Sequence, residues 1–148
     1  MRRAYLPVML GLAGRRILVF GGGRVAGQKA RMLRKFTGDI TVVAPLVSPE
    51  LARSGLRIIR DRFKPKYLRR AGLVYACTND RRVNAGIKKA ANRLGLLVNV
   101  ADNPRLCDFI TPAIFKDREM VVAVSSGGRN LAKTLRWRDR IRRLLRHG

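Results

Sequence analysis

A single loop constrains this chain more than any other feature. Arg16–Phe20 (RILVF) is a β-rich run bounded by Gly14 and Gly21, and it reads as a buried strand. Gly21-Gly22-Gly23-Arg24-Val25-Ala26 follows directly, in the form GxGxxA. From about Arg24 the residues Val25, Ala26, Ala30, Leu33 and Phe36 recur at three- and four-residue steps. That spacing predicts a helix, ended by Thr37-Gly38-Asp39. Glycines alone are a weak signal, but between a strand and a helix they are the fingerprint of a dinucleotide site. Gly21 permits the tight turn, Gly23 lets backbone approach a pyrophosphate, and Ala26 lets helix and sheet pack closely. The helix N-terminus offers N–H groups and partial positive charge to the phosphates. A purely structural glycine turn is the competing reading.

The rest of the chain repeats the strand–helix alternation. Ile40–Val43 is a second apolar strand, closed by Ala44-Pro45. Ser48-Pro49-Glu50 reads as an N-cap, a first-position proline and a first-turn acid, opening a short helix. Leu56–Ile59 is a third strand, and Lys64-Pro65 starts a short basic helix. Gly72–Cys77 is a fourth, fully apolar strand. Thr78-Asn79-Asp80 caps a helix through Val83, Ile87, Ala90 and Leu94, which Gly95 stops, and Leu96–Val100 is a fifth strand. This order predicts an α/β fold, a Rossmann-like doubly wound parallel sheet with helices on both faces. After residue 112 the pattern changes. Ala113–Phe115, a polar turn at Lys116–Glu119 and Met120–Ser125 predict a hairpin, and a basic helix runs from about Asn130 to Arg146. The expected division is residues 1–112 as the nucleotide-binding domain and 113–148 as a hairpin-and-helix segment. Residues 1–14 form a leader in which Tyr5–Leu10 can lie against a sheet.

Composition narrows the class. Thirty-three Lys and Arg face nine Asp and Glu, a net charge of +24 in 148 residues. Such a field attracts polyanions: nucleic acid, or a polycarboxylate or phosphate ligand. A merely solvated basic surface is the third reading. No apolar run approaches the ~18 residues of a membrane span. Met1-Arg2-Arg3 begins like a signal peptide, but Gly14-Arg15-Arg16 soon follows without a small-residue cleavage site, so a cytoplasmic protein is expected. Cys77, Cys107 and His147 form no CxxC or Cys/His cluster, and no metal site is expected. Both cysteines read as small buried hydrophobes.

Three further features bear on chemistry. A dinucleotide domain usually carries an acid about 20 residues beyond its glycines, to hold the ribose hydroxyls. Here the second strand ends Val42-Val43-Ala44-Pro45, and Asp39 lies at its wrong end, so ribose contacts fall to backbone around Ala44–Leu46. NADP stays open, since Arg24 could meet a 2′-phosphate. Asn99-Val100-Ala101-Asp102-Asn103-Pro104 ends the fifth strand, at the edge where open α/β sheets bind ligands. Asp102 there can act as general base or orient a substrate, although a turn-forming Asp before Asn-Pro competes. Asp108 also competes, while Asp80 reads as a cap and Asp117 as a hairpin-turn residue. Lastly, Ser125-Ser126-Gly127-Gly128 precedes the final helix as an anion site or as loop and cap.

Taken in order, Tyr5-Leu6-Pro7, Val19–Lys29 (VFGGGRVAGQK), Thr41–Pro45 (TVVAP) and Ala76–Asp80 (ACTND) carry a resemblance. Asn99–Asp102 (NVAD), Cys107–Pro112 (CDFITP) and Val122–Gly128 (VAVSSGG) continue it along nearly the whole chain. The sequence resembles the precorrin-2 dehydrogenase family, whose longer members are the bifunctional dehydrogenase/ferrochelatases of siroheme synthesis. The resemblance implies NAD-dependent oxidation of precorrin-2 to sirohydrochlorin. It implies that Asp102 serves both dehydrogenation and chelation, and that Asn99 and Ser126 line the tetrapyrrole cleft. NAD would rest on Gly21, Gly22, Gly23, Arg24 and Val25, near Pro45, Leu46 and Thr78. It implies a homodimer joined through the segment after the Rossmann domain, and a polycarboxylate substrate gives a basic cleft a reason to exist. Two departures stand out. Family members carry a longer, Ser-Pro-containing link where Arg129-Asn130 here leads straight into Leu131, and bifunctional members continue beyond the position of Gly148. Both weigh against metal insertion, with ferrous or cobalt ion as substrate, more than against hydride transfer, so chelation is expected to be slow or absent. The rival class is an NAD-sensing protein that binds nucleic acid through its last helix. Eight Lys or Arg and one acid, Asp139, follow from Arg129, but no nucleic-acid motif or aromatic platform accompanies them.

Overall fold

The structure, a computed structural model, describes residues 4–146, so the signal-like Met1-Arg2-Arg3 and His147 lie outside the described residues. The described chain divides into two compact units, Met9–Phe109 and residues 4–8 with 110–146. Residues 4–8 and 110–112 therefore group with the hairpin rather than with the sheet. Of the leader, Leu6, Val8 and Met9 are exposed, and Tyr5 lies within contact distance of the position a Cβ on Gly127 would take.

The larger unit is a five-stranded sheet. Its strands are β1 (Arg16–Phe20), β2 (Ile40–Val43), β3 (Arg57–Ile59), β4 (Ala71–Ala76) and β5 (Val98–Val100). They lie in the order β3-β2-β1-β4-β5, and every pairing is parallel. The helices α1 (Arg24–Leu33), α2 (Pro49–Ala52) and α3 (Arg81–Asn92) supply the crossovers, with a 3₁₀ turn at Pro65–Leu68 before β4. Parallel strands covered on both faces must be apolar on both, and alternate residues of each strand enter two separate cores. Ile17, Val19, Ile40, Val42, Leu73 and Tyr75 face α1 and α2. Leu18, Phe20, Val43, Val74, Ala76 and Val98 pack with Ile87 and Ala91 of α3. The chain winds outward from β1 to β3, then returns to add β4 on the other side of β1. The order of strand addition therefore reverses between β1 and β4, and the carboxyl ends of those strands open a crevice suited to a ligand.

The smaller unit is an antiparallel hairpin, β6 (Ala113–Asp117) and β7 (Met120–Val124), with α4 (Leu131–Arg146) packed on both strands. Among its described residues, Phe115 and Thr134 are buried.

Candidate active site

The crevice between β1 and β4 is a cleft of about 870 Å³. Its wall brings together Gly21, Gly22 and Gly23, the segment from Val43 to Ser48, Asp61 to Phe63, and Cys77 to Asp80. Each glycine has its own reason. Gly21 has a positive φ of 125°, and a Cβ there would overlap the Cys77 carbonyl. A Cβ on Gly22 would overlap the Leu46 carbonyl, because the loops cross closely enough for Ser48 N to donate to Gly22 O at 2.8 Å. Gly23 differs. Nothing lies within 4 Å of a Cβ at that position, and its φ of −89° suits any residue. The fold does not need glycine at 23; a ligand that approaches the backbone does.

The helix behind the loop is open at its start. Ser48 caps α2, and Asp80 caps α3 by accepting from Arg82 N at 2.7 Å and Val83 N at 3.2 Å. At α1 the cap is Gly23, with no side-chain hydrogen bond and no acid in the first turn. The first N–H groups of that helix are thus left for an outside acceptor. Glycine backbone, unfilled space and bare N–H groups together fit a pyrophosphate. Arg24 and Val25 begin α1 exposed, just outside the cleft wall, while Pro45, Leu46 and Thr78 line it as expected.

The side chain that organises the far end of the cleft is Asn84. It stands on α3 with 1% exposure, and all of its amide is used. Its Oδ1 accepts from Thr78 N at 3.1 Å and Thr78 Oγ1 at 2.7 Å. Its Nδ2 donates to Thr78 O at 3.0 Å and to Asp102 Oδ1 at 3.0 Å. A backbone N–H can only donate, so the amide's orientation is fixed, and its nitrogen must face the carboxylate. Asp102 occupies the turn after β5, so the turn and the poised carboxylate are the same residue. Its Oδ2 keeps only the exposed Arg81, at 3.7 Å. One buried amide therefore joins the loop that lines the cleft to the carboxylate at the strand's end.

The comparisons with known proteins bear directly on this arrangement. An NAD(P)-binding family model matches residues 8–113. The siroheme synthase of Nitrosomonas europaea is 43% identical over 141 residues, covering 90% of this chain and 30% of that protein. Siroheme synthase 2 of Aeromonas salmonicida is 42% identical over 143 residues, covering 95% of this chain and again 30% of the relative. The solved structure of SirC, a precorrin-2 dehydrogenase, superposes with a TM-score of 0.76 at 31% identity, covering 93% of this chain and 69% of that one. The chain belongs to the precorrin-2 dehydrogenase family. It spans about 30% of the length of the siroheme synthases it matches.

Within this family fold, the other expected residues take distinct places. Asn99 is buried on β5, and its Nδ2 donates to Phe109 O at 2.9 Å, so the amide nitrogen holds the segment after β5 rather than a ligand. Ser126 lies in the smaller unit, where its Oγ accepts from Asn130 N at 2.8 Å, while Asn130 Oδ1 accepts from Lys133 N at 2.8 Å. Asn130 thus caps α4, and Ser126 of the preceding loop holds the capping residue. Cys77, at the cleft wall, is held as a neutral thiol: burial pushes its pKa up to about 12, with Lys29 pulling the other way. Asp61 and Phe63 are wall residues that the motifs do not reveal. The Asp61 carboxyl is lowered to about 2, first by the hydrogen bond from Lys64 and then by that from the Tyr67 hydroxyl. It is an acid beside the cleft, but its oxygens are already engaged. Among the described residues no group of three or more His, Cys, Asp or Glu could hold a metal ion, and no helix is long and apolar enough to cross a membrane.

Proposed function

We propose that this chain is an NAD-dependent precorrin-2 dehydrogenase, acting in siroheme biosynthesis. The observation that carries the proposal is the Asn84 bridge, which ties Asp102 to the Thr78 loop of the dinucleotide cleft. Oxidation of precorrin-2 to sirohydrochlorin removes a hydride from a reduced carbon and a proton from the macrocycle. Bound NAD supplies the hydride acceptor. The glycine loop and the open start of α1 would hold its pyrophosphate, and Pro45, Leu46 and Thr78 would border the rest of it. Asp102 Oδ1 is taken by Asn84, which leaves Oδ2 to accept or orient the departing proton. Asn99 offers its carbonyl oxygen to the macrocycle. Metal insertion, with ferrous or cobalt ion as substrate, would draw on the same carboxylate because it too displaces pyrrole protons. The reading places the enzyme in the cytoplasm as a homodimer joined through the hairpin-and-helix unit. SirC and the siroheme synthases support the reaction class, and the comparisons give no support to a nucleic-acid role.

The test is a pair of substitutions. Asp102→Asn keeps size and hydrogen bonding but removes the base and its charge. Turnover of precorrin-2 should fall by roughly two to four orders of magnitude, while NAD affinity stays near that of the wild type. Asn84→Ala frees the carboxylate without removing it and should cost about tenfold in turnover, since misplaced groups lose part of their orientation advantage. Near wild-type turnover in Asp102→Asn would make the residue a turn former and nothing more.

A further inference from the structure

A folded chain of this charge still pairs the cations it buries. Among the described residues the cationic side chains that are not fully exposed are those of Arg16, Lys29, Lys88 and Arg138. Arg16 pairs with Asp39, Lys88 with Asp108 and Arg138 with Asp139. Lys29 has no carboxylate. Its ammonium lies 5.7 Å from the centroid of the Tyr75 ring, and it has no other polar partner among the described residues. Burial lowers its pKa, opposed only by the nearby thiols of Cys77 and Cys107. Taking an ammonium from water and leaving it unpaired costs free energy, which a chain can support where a ligand completes the site.

The surroundings say which ligand. Lys29 projects from the second turn of α1 toward the sheet face that carries Tyr75, whose ring packs edge-to-face on Phe109 at 5.5 Å. Asn99 stands beside Tyr75 in the sheet register and bonds Phe109 O. Cys77, on the same core face as Tyr75, lines the cleft, and Asp102 follows Asn99 just past the end of β5. Lys29 does not line the dinucleotide cleft. An aromatic pair, an amide and an unpaired cation, set beside the cleft and close to Asp102, match a flat ring bearing acidic arms.

We propose that Lys29 is a substrate-binding residue whose half-buried ammonium, laid over the Tyr75 ring without a carboxylate of its own, receives a carboxylate arm of the macrocycle. This deepens the dehydrogenase reading and rests on it. The lysine would select for acidic arms on that side of the ring and anchor the macrocycle beside Asp102.

The experiment uses the full chain, with sirohydrochlorin as probe, titrated anaerobically and followed by its absorption band. NAD affinity is measured in parallel by calorimetry. Lys29→Met and Lys29→Gln remove the charge at similar length, and Lys29→Arg keeps it. Loss of one charge-assisted contact to a carboxylate should weaken sirohydrochlorin binding about tenfold or more in both neutral variants. NAD affinity should be unchanged, Lys29→Arg should recover most of the loss, and Tm in Lys29→Met should stay level or rise because no partner is orphaned. Wild-type affinity for sirohydrochlorin in the folded neutral variants would overturn the assignment of Lys29 alone. Failure of the wild-type chain to bind sirohydrochlorin at all would overturn the dehydrogenase reading, and this inference with it.

Discussion

A side chain at position 23 would stand in open space at the mouth of the cleft, whereas one at 21 or 22 would meet backbone. The three glycines therefore separate function from folding. Gly23→Leu should leave the circular dichroism spectrum and Tm near those of the wild type and abolish NAD binding in calorimetry, because the side chain takes the pyrophosphate's place. Gly22→Ala should instead destabilise the fold by at least about 2 kcal/mol, the scale of strain from forced overpacking. Unchanged NAD affinity in Gly23→Leu would remove the loop from the site. The GxGxxA pattern makes Gly21, Gly23 and Ala26 legible, but it leaves Gly22 unspecified, since the Leu46 carbonyl that excludes a Cβ comes from a loop over twenty residues away. Asn84 is hidden for a related reason. It reads as an ordinary polar helix residue, and only its place on the same stripe as Ile87 and Ala91 marks it as buried. Lys29 is concealed in the same way inside a motif whose glycines draw the eye.

At the scale of elements, hydrophobic periodicity is a good guide to type and a poorer one to ends. The five strands, three crossover helices and final hairpin and helix all follow from it. β3 starts at Arg57 rather than Leu56, and β4 runs from Ala71 to Ala76, because ladder pairing with β2 and β1 sets the limits. Phe36 continues the apolar spacing of α1 but falls outside it; the helix closes at Leu33, where Phe36 N and Thr37 N both turn back to Leu33 O. Asp108 was legible only as a rival to Asp102. Its true partner is Lys88 on α3, and its second oxygen accepts from Val98 N at 2.8 Å, pinning the start of β5. Lys88 is 11% exposed and Asp108 31%. Breaking such a pair leaves a mostly buried ammonium, and Asp108→Ala should cost about 2–3 kcal/mol by urea unfolding, less than a fully buried pair because Asp108 is part-solvated. A loss under about 0.5 kcal/mol would show the pair to be worth no more than a surface contact.

For the molecule as a whole, the sheet unit exposes large apolar residues outside its two cores, among them Met9, Leu46 and Leu94, and the smaller unit leaves Met120, Leu131, Trp137, Leu144 and Leu145 exposed on its hairpin and helix. We propose that those of the smaller unit form the interface between two copies of the chain. Sedimentation at micromolar concentration should give twice the monomer mass, and a monomer would refute the dimer. That surface is legible in sequence only as an apolar face on a basic helix, because pairing between copies leaves no periodicity of its own. The reaction itself is tested by anaerobic incubation of the purified chain with precorrin-2 and NAD. Sirohydrochlorin should appear in its absorption spectrum in step with an equal amount of NADH, and neither should form when NAD is left out. Precorrin-2 left unchanged by folded, NAD-binding protein would contradict the account.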